Sequence, residues 1–341
     1  MPDLNKSVIQ LSKRAYYLMN KRRYHEAEKV FKQAYALSSD NAYILVGLGD
    51  IYRKLKNFPK AIKYYQLVLE QDPVNVFALR GIGNAYRGMQ QPEKSLEFWD
   101  RYLQCNRFDS HVMVRMADSY KRMGKFQEAL SLYENALNIG GNDKYTYLGL
   151  GTLKYKMGED DGALSCFEKY LVFDDHNVAV LTMMGNIYQR RKQFEKAAAY
   201  FSKTIELDHE NAFALYGLGN CERGLHHFSE AIKWWLKVLA LEPENQNLYT
   251  RVGDALLAMG DQEQSQAYYH KSLDIGFDPY AYLGLARIAY RQQNLAEAER
   301  CCKEILQVAP ANPRALNELS RIYECQGDLD KAESVRAQLS M

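Results

Sequence analysis

Residues 42–75 read AYILVGLGDIYRKLKNFPKAIKYYQLVLEQDPVN. Leu45, Leu48, Gly49 and Tyr52 recur at three- and four-residue spacing, and so do Ala61, Tyr65 and Val68. Each set lies on one face of an amphipathic helix. Asn57-Phe58-Pro59 between them reads as a turn, with the proline where a helix can begin. The stretch therefore predicts two antiparallel helices. Such helices come closest where both side chains are small, which assigns the crossing to Gly49 and Ala61, twelve residues apart. A bulky side chain at such a crossing wedges the pair open, at about 1–3 kcal/mol.

The same small pair returns along the chain as Ala15/Ala27, Gly49/Ala61, Gly83/Ser95, Ala117/Ala129, Gly151/Ala163, Gly185/Ala197, Gly219/Ala231, Gly253/Ser265, Ala286/Ala298 and Ser320/Ala332. Successive pairs are 34 residues apart except for one step of 33, so repeats start near residues 8, 42, 76, 110, 144, 178, 212, 246, 279 and 313. Four residues after the second small residue comes an aromatic column: Phe31, Tyr65, Trp99, Tyr133, Phe167, Phe201, Trp235 and Tyr269. Tyrosine recurs at 52, 86, 120, 188 and 323, and proline closes repeats at 73, 243 and 310. Gly124, Gly158, Gly260 and Gly327 suit the left-handed residue that ends a helix. Lys154, Glu222, Leu256 and Ala289 depart from the tyrosine column, which suggests local rotation of those repeats.

A 34-residue helix–turn–helix with these small, aromatic and proline columns resembles the tetratricopeptide repeat family. The match covers residues 8–341. The resemblance implies an all-α fold, a right-handed α-solenoid superhelix of about ten stacked helix–turn–helix repeats. It implies one body over residues 1–341, because each repeat buries its apolar face only against its neighbours. It also implies that the first helix of each repeat lines a concave inner wall. Arg14 and Arg336, both at apolar columns, and the modest finish Ala337-Gln338-Leu339-Ser340 fit the polar ends of a self-contained array.

Composition narrows the function. Forty-four basic against 42 acidic residues give a net charge of +2, with no global field to attract nucleic acid. The start, Met1 to Ser7, lacks a signal pattern, and no apolar run reaches the roughly 18 residues of a membrane span. Six cysteines without paired spacing predict a reduced, cytoplasmic protein, with Cys301-Cys302 filling core. Gly47-Leu48-Gly49, Gly81-Ile82-Gly83, Gly149-Leu150-Gly151 and Gly217-Leu218-Gly219 fall inside helices, follow no strand and are rejected as phosphate loops. The seven histidines form no metal-ligand spacing, His226-His227 sits in an exposed turn, and no serine or cysteine has a nucleophile elbow. The expectation is a non-enzyme with no cofactor and no metal.

If positions four, seven, eight and eleven of a repeat pack inward, positions two, five, six, nine and thirteen point away. Position two carries Tyr43, Phe77, His111, Tyr145, Phe213 and Tyr280; position nine carries Asp50, Asn84, Asp118, Asn186, Asn220 and Asp254. Arg80, Arg115, Tyr216 and Arg251 join them on that wall. Rows of exposed aromatics mark interaction sites, and asparagine donates and accepts at once, which suits an extended backbone. These fifteen residues, His111 apart, form the candidate groove for a protein or peptide partner. The alternative is that the aromatics pack on the next repeat and the Asn/Asp side chains are merely solvated.

Gly47, Gly81, Gly149, Gly217 and Gly284 at position six each cost about 1 kcal/mol in a helix relative to alanine. They imply either close approach of neighbouring first helices or room for a ligand, and Gly81→Ala with Gly217→Ala is expected to raise stability. Basic residues near the first-helix ends, Arg53, Lys54, Arg87, Lys121, Arg122, Lys156, Arg190, Arg223 and Arg291, suit the helix dipole better than they argue an acidic partner. Some family members hold a chaperone's C-terminal carboxylate in a five-residue clamp. Arg80, Asn84 and Arg115 fit its first three positions, but Tyr145 and Gly149 depart, which argues against that ligand.

Residues 75–84 are echoed by 211–220, Arg115 and Asp118 by Arg251 and Asp254, and 145–150 by 280–285. The echo predicts a duplicated four-repeat block with two similar half-sites. The leading expectation is an interaction scaffold that binds an extended segment on its concave surface. A small-ligand carrier or transport accessory, and a self-assembling scaffold that dimerises through its terminal repeats, are the alternatives.

Overall fold

The computed structural model describes residues 2–339; Ser340, part of the polar finish, lies outside them. All regular structure among the described residues is helical, and it divides into two compact units, Met1–Asp175 and His176–Met341. The first unit contains α1 (Pro2–Asn20), α2 (Tyr24–Leu37), α3 (Ala42–Lys54), α4 (Phe58–Gln71), α5 (Val76–Gly88), α6 (Pro92–Cys105), α7 (Ser110–Arg122), α8 (Phe126–Asn138), α9 (Lys144–Met157) and α10 (Asp160–Leu171). The second contains α11 (Val178–Arg190), α12 (Phe194–Leu207), α13 (Ala212–Gly224), α14 (Phe228–Leu241), α15 (Gln246–Met259), α16 (Gln262–Ile275), α17 (Pro279–Arg291), α18 (Leu295–Val308), α19 (Pro313–Gln326) and α20 (Leu329–Ala337). Consecutive helices pair as hairpins, and within each unit each second helix packs on the next first helix. The paired-helix solenoid read from the 34-residue spacing is the observed fold.

The hairpins cross where the small residues predicted. Ser95 Oγ donates to the Gly83 carbonyl at 2.7 Å and Ser265 Oγ to the Gly253 carbonyl at 2.8 Å, each spanning the two small positions of its repeat. Every first helix after α1 starts behind an Asn or Asp: 41, 75, 109, 143, 177, 211, 245, 278 and 312. All but Asn245 accept a hydrogen bond from a first-turn backbone N–H. Such caps are worth about 1 kcal/mol each against alanine. α1 starts several residues ahead of the repeat phase at Val8, so the first repeat has the longest helix, of 19 residues.

Two of the repeats that lack the column tyrosine, those of Lys154 and Glu222, keep the packing of the others. Gly151 lies against Phe167 and Gly219 against Trp235, as the corresponding glycines do elsewhere. The tyrosine is instead replaced by polar links: Lys154 to Glu159 at 3.7 Å and Glu222 to His227 at 2.9 Å. At the chain's far end Arg336, in the aromatic column, pairs with Glu324. Cys221, Cys301 and Cys302 are buried, and desolvation pushes each thiol up to about 12, so all three are core side chains and not nucleophiles.

Between the two helices of every repeat, position fifteen has positive φ. Glycine supplies it at 124, 158, 260 and 327, but Arg22, Lys56, Gln90, Lys192, His226 and Gln293 adopt it with a side chain. That costs about 1–2 kcal/mol per residue, which glycine avoids while adding chain entropy to the unfolded state. Lys56→Gly and Lys192→Gly are each expected to stabilise their unit by about 0.5–1 kcal/mol, read as a higher urea midpoint.

Candidate functional site

The first-helix face is shaped by the aromatic column behind it. Tyr65, Phe201 and Tyr269 are each enclosed by a glycine of their own repeat and by the position-six glycine of the next. A Cβ added at Gly49 would sit 2.5 Å from the Tyr65 ring, and one at Gly81 would sit 2.4 Å from the same ring. Phe201 lies in the same way between Gly185 and Gly217, and Tyr269 between Gly253 and Gly284. Gly47 meets Phe31 and Gly149 meets Tyr133. The position-six glycines therefore clear a buried ring of the preceding repeat. They are not vacant floor for a ligand. The expected stability gain is reversed in sign: because Tyr65 and Phe201 are fully buried, Gly81→Ala and Gly217→Ala should each cost about 1–3 kcal/mol of stability, read as a lower urea midpoint.

Position six also sets how near successive first helices lie. Where it is glycine, α1 touches α3, α3 touches α5, α7 touches α9, α11 touches α13 and α15 touches α17. α17 also touches α19, where the preceding column residue is the small Cys302 and position six is Glu318. At the two tryptophans, position six is Arg115 or Arg251, and α5 and α7, like α13 and α15, make little or no direct contact. The bulk of Trp99 and Trp235 fills the space beneath. Both are fully buried, and each indole Nε1 lies against a glycine, Gly83 or Gly219, without a hydrogen-bond acceptor among the described residues.

Position nine follows the ring. Tyr65, Tyr133 and Tyr269 donate their hydroxyls to Asp50, Asp118 and Asp254 at 2.8, 2.6 and 2.8 Å. Burial first, then the adjacent carboxylate, drives these phenol pKa values up, so the donors stay protonated. Where the ring has no hydroxyl, position nine is Asn84, Asn186 or Asn220 in the repeats of Trp99, Phe201 and Trp235. Asp50, Asp118 and Asp254 are thus acceptors for buried tyrosine hydroxyls. The Tyr/Asp pairing is present in the sequence at 65/50, 133/118 and 269/254 and marks this role. In a double-mutant cycle, Tyr133→Phe should cost about 1–2 kcal/mol, and Asp118→Asn should then cost less in the Phe background than in wild type.

The aromatic row stands open. Tyr43, Phe77, Tyr145, Phe213 and Tyr280 expose 57, 59, 64, 80 and 54% of their surface, so they do not pack away between layers. In the first unit Tyr43, Asp50, Phe77 and Arg80 come together with Tyr16 and Val46 around a cleft of about 490 Å3. Arg115, Asp118 and Tyr145 meet Arg87, His111 and Asp143 around a second, of about 410 Å3. In the second unit Phe213 and Tyr216 line a cleft of about 290 Å3 with Asn245 and Asn247. Tyr280 lies under Arg314, and Asn186 is part-buried on α11. The positional count missed Tyr16, Arg87, Asp143 and Asn245. Tyr16 shares the position-nine column with Asp50, whereas the two caps precede the helices from which the face was counted.

Two pairs of echoed residues make like contacts in the two units. Arg115 Nη1 donates to Asn84 Oδ1 at 2.9 Å, and Arg251 Nη1 lies 3.5 Å from Asn220 Oδ1. Asp143 caps α9 through Tyr145 N at 2.8 Å, and Asp278 caps α17 through Tyr280 N at 2.9 Å.

Models of the tetratricopeptide repeat match residues 12–76, 112–144, 178–211, 212–245, 250–307 and 283–337. The chain belongs to the tetratricopeptide repeat family, whose chains are in general protein-interaction scaffolds. No curated protein matches it. Among solved structures, YrrB, a TPR protein with an unusual peptide-binding site, is 20% identical over 53% of this chain and 93% of its own, with a TM-score of 0.49. MamA is 22% identical over 49% and 91%, at 0.47. A tetratricopeptide repeat protein from Parabacteroides merdae ATCC 43184 is 18% identical over 72% and 98%, at 0.49. No helix among the described residues is long and apolar enough to cross a membrane.

Proposed function

We propose that this chain is a non-enzymatic interaction module that binds an extended peptide or protein segment on the face formed by its first helices. The observation that carries the reading is the row of half- to mostly exposed aromatics at position two beside three clefts. Water contact at such rings is unfavourable, and a partner side chain removes it. Asn84 and Asn220 keep their amide nitrogens for a partner's carbonyl while their oxygens face Arg115 and Arg251. Each cleft is open to solvent, which suits an extended chain better than an enclosed small molecule. Buried, protonated thiols fit work in a reducing, cytoplasmic setting.

Affinity capture with the full chain tests the reading. Phe77→Ala with Phe213→Ala removes only exposed side chains, so the melting temperature should hold while captured partners fall away. Asn84→Ala with Asn220→Ala should thin the same set. An unchanged partner list from both double variants would remove the groove.

A further inference from the structure

The five exposed rings at position two differ in what lies over them. Arg80 stands 6.0 Å from the Phe77 centroid, Lys144 5.5 Å from that of Tyr145 and Arg314 5.3 Å from that of Tyr280. Tyr43 packs on the Tyr16 ring at 4.9 Å. Phe213, the most exposed of the five at 80%, has neither a cation nor a second ring over it among the described residues. The first unit shows what its counterpart receives. The Arg80 guanidinium also lies 5.9 Å from the Tyr102 centroid, and its Nη1 is 3.9 Å from Asp109 Oδ2. Two aromatic rings and a carboxylate there hold a cation that belongs to the chain.

In the echo of residues 75–84 by 211–220, Phe77 corresponds to Phe213 and Arg80 to Tyr216. The ring is kept and the cation is lost. In the same register Asn106 and Asp109 correspond to Glu242 and Asn245, so the carboxylate is moved but also kept. Phe213, Tyr216, Glu242 and Asn245 line the cleft of about 290 Å3 formed by α13, α14 and α15. Glu242 makes no ion pair among the described residues, and Asn245 Nδ2 donates to its Oε2 at 3.0 Å. Asn245 does not cap α15, and its Oδ1 accepts no hydrogen bond among the described residues. A carboxylate at the C-terminal end of α14 is also opposed by the helix dipole, which a bound cation offsets. Arg251 lies over the Tyr216 ring at 5.5 Å with Nη1 3.5 Å from Asn220 Oδ1, and it forms no ion pair with Glu242.

We infer that the cleft of Phe213, Glu242 and Asn245 is a subsite for an arginine side chain of the bound segment. The inference rests on the groove reading and adds which residue the partner presents. A guanidinium stacks on an aromatic face and directs paired N–H donors at one carboxylate, which a lysine ammonium does less well. Phe213 supplies the ring, Glu242 the charge and Asn245 Oδ1 a further acceptor. In the first unit Arg80 takes the corresponding place from within the chain.

Selection of a random short-peptide library on the full chain tests this. Arginine should be enriched at one position of the retained peptides. The best of them, titrated by fluorescence anisotropy, should bind about tenfold more weakly when that arginine is replaced by citrulline, its neutral isostere. Glu242→Gln should cost a similar factor and erase the difference between the arginine and citrulline peptides. Glu242 is exposed, so that variant should melt as wild type. Tyr216→Arg rebuilds the first-unit arrangement and should weaken the peptide likewise, by filling the cleft from within. Glu263→Gln, the same charge change at an exposed site on α16, should bind as wild type. Retained peptides without arginine, or a Glu242→Gln chain that still prefers arginine to citrulline, overturn the subsite and leave the groove intact. No retained peptide at all removes the groove reading and the subsite with it.

Discussion

The packing of one buried ring between two glycines is the constraint from which the rest follows. A ring of the second helix presses on its own first helix at one small residue and on the next first helix at another. The first contact closes the hairpin, and the second sets the stacking distance within a unit. A methyl group at either place must displace a fully buried ring. Glycine in mid-helix costs about 1 kcal/mol, but here that cost is local and the packing it permits spans two repeats. The first-helix face is thus a by-product of the core: within each unit its spacing follows the rings behind it.

Most of the fold was legible because helical period and repeat period are both sequence properties. The crossing at Gly83/Ser95 or Gly253/Ser265 needs only two small residues twelve apart, and a hydrogen bond now joins each pair. The meaning of Gly81 and Gly217 was not legible within one repeat. Their obstacle is a ring sixteen residues upstream, in a different hairpin, and a period of 3.6 carries no information about it. The same holds for Lys154 and Glu222, whose departure from the tyrosine column looked like a change of register but is a change of partner.

The candidate face was half legible. Helical phase put Tyr43, Phe77, Tyr145, Phe213 and Tyr280 on the open side, where they stand. It treated Asp50, Asp118 and Asp254 as equivalent to Asn84 and Asn220, because phase sorts directions and is blind to partners. Comparing columns separates them: the three tyrosine rings each face an aspartate, whereas the repeats of Trp99, Phe201 and Trp235 carry an asparagine. Two side chains fifteen residues apart thus divide the face into positions committed to the core and positions still available.

Trp99 and Trp235 break the ring-and-glycine pattern, and at both places position six is an arginine. A larger ring cannot be cleared by a glycine at the same helix spacing, so the helices separate and a long side chain occupies position six. At both places that side chain is an arginine, and Arg251 lies over the Tyr216 ring. The acceptor it finds is the asparagine of the preceding repeat, a neutral group that orients the guanidinium without neutralising it. Had position nine been aspartate there, as in the tyrosine repeats, the arginine would be matched within the chain. The substitution of tyrosine by tryptophan in the core thereby sets both the width of the gap and the charge left unpaired above it, in each unit.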